Sequence, residues 1–78
     1  MMYEFDGTIF KSTRVSDVDR DGMLLELAAS DKDAPILEAF YDSQLKQMTF
    51  RSTNTWVPLE MVEKFLKEAK LRLPPEAD

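Results

Sequence analysis

The chain has 78 residues and a formal charge of −5, with no Cys, no His and only two Gly. That length holds one small core. The missing residue types exclude disulfides, the usual zinc sites, imidazole acid–base chemistry and glycine-rich phosphate loops. Acidity argues against nucleic acid as a partner, and no apolar run reaches the roughly 20 residues of a membrane span.

A single domain over residues 1–78 is expected, strand-rich over 1–56, helical over about 58–73 and ending in a short Pro-rich tail, 74–78. The start, Met1–Asp6, lacks the basic and apolar regions of a secretory signal, so a cytoplasmic protein is expected. Tyr3 and Phe5 alternate with polar neighbours, and Asp6-Gly7 offers a turn. Thr8–Val15 is rich in β-branched residues and reads as a half-exposed strand. Asp21-Gly22 signals a hairpin turn. Met23–Ala29 follows, with Leu25 and Leu27 as its core face. Its composition also suits a helix, but its shortness and the preceding Asp-Gly favour strand.

Ser30–Pro35 is a turn-rich loop. Ile36–Tyr41 carries apolar residues on both faces, which predicts a central strand. Gln47–Thr53 alternates cleanly, with Met48 and Phe50 inward and Thr49 and Arg51 outward. In the tail, Pro58 suits a first helical turn, and Leu59, Val62, Leu66, Ala69 and Leu73 make a stripe at helical spacing. Glu60–Lys64 and Glu63–Lys67 are favourable pairs four apart, Lys70 and Arg72 complement the helix dipole, and Pro74-Pro75 stops the helix. Met61 and Phe65 widen the apolar arc to roughly 160°. They either wrap over the sheet or offer a face to a second copy. Trp56 caps the core or anchors an interface.

These elements predict an α+β fold: a small antiparallel sheet of about four strands with the C-terminal helix packed on one face. Several strands followed by one helix resembles the layout of small single-stranded-DNA binders, which use a basic sheet with stacking aromatics. Near this sheet the bases Lys11, Arg14, Lys46 and Arg51 are outnumbered by acids, so no nucleic-acid partner is expected.

Asp17-Val18-Asp19-Arg20-Asp21-Gly22 resembles the opening of the calcium loop of EF-hand proteins, with Asp17, Asp19 and Asp21 as candidate ligands and Gly22 at the bend. The position that should carry the closing bidentate Glu is Ala28, and the flanks read as strands. An Asp-rich hairpin turn is therefore expected, with no metal and no cofactor. Paired carboxylates such as Asp31 and Asp33 read as solvated loop residues beside Lys32, and no nucleophile motif is present, so no enzymatic activity is expected.

From Asp17 to Asp42 there are eight acidic residues against Arg20 and Lys32, a local charge of −6. Ordinary solubility accounts for such a window. A functional reading makes it the face of an inhibitor or immunity-type protein that covers a basic partner. Asp17, Asp19, Asp21, Asp31, Asp33 and Asp42 would then supply charge, and Tyr41 and Trp56 the buried anchors. Two alternatives are a small structural homodimer, paired through the Met61/Phe65 side of the helix or a sheet edge, and a calcium-responsive module built on Asp17–Gly22.

Overall fold

A computed structural model describes residues 2–17, 19–32, 34–53 and 56–73. Five strands, β1 (Met2–Phe5), β2 (Thr8–Asp17), β3 (Gly22–Ala29), β4 (Leu37–Asp42) and β5 (Gln47–Ser52), precede one helix, α1 (Leu59–Arg72). The strands form one antiparallel meander in the order β1-β2-β3-β4-β5. The architecture is α+β as expected, with five strands rather than about four. The extra strand is Met2–Phe5, which pairs with β2 from Phe5↔Thr8 to Met2↔Lys11. Asp6 and Gly7 link them in two residues, both at positive φ (48° and 78°), the backbone a tight hairpin turn demands.

Two other turns use different devices. Between β4 and β5, the Asp42 carboxylate accepts the backbone N–H groups of Gln44 (2.9 Å) and Leu45 (3.0 Å), and Lys46 takes φ 54°. Between β2 and β3, Asp21 takes φ 53°, while Gly22 already belongs to β3. Gly22 is needed for space: a Cβ there would lie 2.2 Å from the Tyr41 carbonyl oxygen and 2.5 Å from Cζ of Phe40.

The cross-strand register assigns every strand residue to a face. Leu25 and Leu27 of β3, Leu37 and Ala39 of β4 and Tyr3 of β1 look toward α1, and Met61, Phe65, Ala69 and Leu73 meet them in the core. The helix starts near β5, where the Phe65 and Phe50 rings lie 6.4 Å apart, and reaches β1 and β2 through Glu68. Met48 and Phe50 share the helix side, as the alternation predicted, although Phe50 keeps 44% of its surface exposed.

The helix face differs from the predicted stripe. Leu59 is 71% exposed and Val62 and Leu66 only half-buried, whereas Met61 (1%) and Phe65 (0%) are fully inside. The buried arc is rotated by roughly 70° from the one hydropathy alone selects. Met61 and Phe65 therefore fill the core and are not a face for a second copy. No described element covers the opposite side of the sheet.

Candidate functional site

The register brings together acids that the sequence separates. Asp17, Gly22, Asp42 and Gln47 form one row across β2–β5, so the β2–β3 and β4–β5 turns stand side by side. The Ser43 N–H donates to the Asp21 carbonyl (3.1 Å) and the Gln44 side chain reaches the Asp21 carboxylate (3.4 Å). Asp17, Asp19, Asp21 and Asp42 thus share one end of the sheet. Asp31 does not: the Ser30 N–H bonds the Ile9 carbonyl (2.8 Å), which places that loop at the opposite end. Asp33 lies outside the described residues. The acidic window is continuous in sequence but split in space.

Besides the Asp21–Gln44 bond, two carboxylates of the tip are held by close structural partners. Asp17 accepts both the Arg20 guanidinium (2.7 Å) and the Arg20 N–H (3.2 Å), and the guanidinium bond holds its carboxyl below the usual carboxylate range. Arg20 in turn lies 4.2 Å above the Phe40 ring, a cation–π contact. Asp42 is occupied with its turn, and the exposed carboxylates are Asp19 and Asp21, the latter with a long bond from the Gln44 side chain. Among the described residues, no three acidic side chains converge as a metal-binding group. Ala28, in the place of a closing ligand, is held in extended β3.

The surface with most binding character is the uncovered sheet face. An apolar row, Val15–Leu24–Phe40, ends in Thr49 and is flanked by the Asp17–Asp42 row on one side and by Thr13–Glu26–Glu38–Arg51 on the other. Glu26 and Glu38 stand directly opposite each other, a like-charge pair that costs the sheet a few tenths of a kcal/mol or more. Arg51 pairs with Glu38 (2.6 Å) but no ion pair is formed by Glu26 among the described residues. Arg20, Leu24, Glu38, Phe40, Thr49 and Arg51 line a shallow depression here.

The predicted anchors fall elsewhere. Tyr41 is half-buried on the helix side, in register with Met23 and Met48, and packs against the core. Trp56 is fully exposed in the connection between β5 and α1, so it does not cap the core. The open-face aromatic is Phe40, one residue earlier than Tyr41. Alternation alone signals that these two residues oppose each other, but not which of them the helix covers.

A buried polar cluster escaped sequence reasoning altogether. Glu68, only 3% exposed, accepts hydrogen bonds from the Tyr3 hydroxyl, the Ser12 hydroxyl (2.7 Å) and the Arg72 guanidinium. Burial pushes its carboxyl up, but the three donors outweigh burial and hold it below the usual range. Burial, the bond to Glu68 and its negative charge push the Tyr3 phenol well above its ordinary value of 10.0, against the opposing charge of Arg72. Both Glu68 oxygens are consumed, so the cluster ties β1 and β2 to α1 and presents no acid or base to a substrate. Its only sequence signal is the Glu68–Arg72 spacing of four.

Among the described residues, no helix is long and apolar enough to cross a membrane. Compared with known protein families, curated proteins and solved structures, the chain matches none.

Proposed function

We propose that the protein is a non-enzymatic protein-binding module of the inhibitor or immunity type, which covers a basic partner surface with its open sheet face. The Glu26–Glu38 pair beside the Val15–Leu24–Phe40 strip carries this reading. Arg51 offsets Glu38 within the chain, so Glu26 is the carboxylate left for a partner's Lys or Arg, which would relieve its repulsion from Glu38 on binding. The apolar strip supplies area to bury, and Asp19 and Asp21 extend the negative field past the sheet end. The fully occupied Glu68 and the shallow, open depressions favour binding over catalysis.

The test is a variant that separates stability from binding. Glu26→Lys turns the repulsive pair into an attractive one, so thermal stability should rise or hold. Association with a partner captured on the immobilised chain should slow several-fold and lose part of its salt dependence. Glu63→Lys, on an exposed helix position, makes the same charge change away from the sheet and serves as control. Equal slowing by both variants, or by neither, would remove the open face from the interface.

A further inference from the structure

The free edge of β5 has the features of a self-pairing strand, and we infer that two copies of the chain join there, antiparallel, into one ten-stranded sheet. This rests on the edge alone and stands whether or not the open face binds a basic partner. The Thr53 N–H donates to the Ile36 carbonyl (3.0 Å), which sets the phase of the β4–β5 ladder. Thr53, Arg51, Thr49 and Gln47 direct their backbone groups at β4, so Met48, Phe50 and Ser52 direct theirs outward. A twofold axis at Phe50 then opposes Phe50 to its own copy and Met48 to Ser52 of the second copy. Three such pairs complete six N–H···O bonds without moving the monomer's ladder.

Charge and surface both fit a second copy. From Ser43 to Leu59 this acidic chain has no carboxylate and only two cations, Lys46 and Arg51. Arg51 is already neutralised by Glu38 (2.6 Å) and would stand opposite Thr49 of the second copy, so no like charges meet across the seam. The strand lacks two of the usual protections of an edge, Pro and a bulge, and its one charge, Arg51, is paired with Glu38. By contrast β1, the other edge, is four residues long and carries Glu4.

Of the eight large hydrophobic residues left exposed among those described, four lie between Leu45 and Leu59: Leu45 (69%), Phe50 (44%), Trp56 (100%) and Leu59 (71%). The antiparallel pairing sets the strand end next to Leu45 of one copy beside the opposite strand end of the other. A stable interface needs roughly 800 Å² per partner. A fully exposed Trp offers up to about 250 Å² of that, and the three other side chains and the strand edge extend it.

Hydrogen exchange on the unaltered chain tests this directly, beside light scattering over a concentration series. The expected result is a dimer in which the amides of Met48, Phe50 and Ser52 become protected as concentration rises, while those of Thr49, Arg51 and Thr53 are protected throughout. Ser52→Pro deletes an outward N–H that the monomer does not use, and should raise the dimer dissociation constant about tenfold or more. Trp56→Ser should weaken the dimer without touching the sheet. A chain that stays monomeric would overturn the proposal. So would a dimer whose Met48, Phe50 and Ser52 amides exchange freely, or one indifferent to Ser52→Pro, because either pairs through another surface.

Discussion

Replacing Glu68 tests the physical account of the core most sharply. In Glu68→Ala, the Tyr3 and Ser12 hydroxyls lose a charged acceptor while only 9% and 5% exposed. Each lost hydrogen bond to the charged acceptor costs about 1.5–3 kcal/mol. Arg72, with 39% of its side chain exposed, can turn to water and adds little. The lost carboxylate refunds its own desolvation, so a net cost of about 3–4 kcal/mol is expected, in line with broken buried pairs elsewhere. A chain of this size has roughly 4–12 kcal/mol in total. With a urea slope near 1 kcal/mol per M, the midpoint should fall by roughly 3 M. Far-UV circular dichroism is the right probe, since Trp56 is already fully exposed in the folded monomer. Glu68→Gln keeps the volume but turns an amide N–H₂ toward a donor, and should cost about half as much.

The pH profile supplies an independent check. Glu68 has a lowered folded-state value, so its contribution is complete above its ordinary 4.5 and is lost as pH falls through the folded value. Tyr3 has a raised one, so its contribution is complete below 10.0 and is lost as pH rises beyond that. Glu68→Gln should flatten the acid limb and soften the alkaline limb, where burial of Tyr3 still acts. A midpoint shift below about 1 M for Glu68→Ala, or an unchanged acid limb for Glu68→Gln, would refute the reasoning.

Three further variants probe the same framework. Tyr3→Phe, Ser12→Ala and Glu68→Leu together remove the donors with their acceptor, and urea unfolding should place this variant well above Glu68→Ala and near the parent; equal instability would show that the lost hydroxyl bonds are not the cost. Gly22→Ala forces a Cβ to 2.2 Å from the Tyr41 carbonyl and should lower stability by at least about 2–3 kcal/mol, read as a depressed melting temperature. Lys46→Gly relieves a left-handed backbone (φ 54°) in the β4–β5 turn and should raise stability by about 0.5–1 kcal/mol; a lowered melting temperature would contradict it.

What the sequence made legible was set by periodicity. The alternation in Gln47–Ser52 put Met48 and Phe50 on one side correctly, and the Asp-Gly boundary identified Met23–Ala29 as strand despite its helix-forming composition. The helix existed where expected, yet its face did not, because a hydropathy wheel scores Glu68 as outward. Its three donors come from residues 4, 56 and 65 positions away, and only the fold brings them together. The acidic window failed as a unit for a topological reason: successive hairpins send alternate loops to opposite ends of the sheet, which separates Asp31 from Asp17–Asp21. Asp21-Gly22 signals a turn, but Gly22 lies in β3, where a Cβ would collide with the Tyr41 carbonyl and the Phe40 ring.

The sheet offers apolar residues on both sides, and the helix selects one of them. Leu25, Leu27, Leu37 and Ala39 line one face, and Val15, Leu24 and Phe40 the other. On the first, Tyr3 and Ser12 wait with hydroxyl donors for Glu68. The helix side is thus tied by the bonds from Tyr3 and Ser12 to Glu68, while Glu26 and Glu38 stand beside the apolar strip on the other. One face therefore buries its polar groups in bonds to Glu68, and the other leaves an acidic, partly apolar surface facing water.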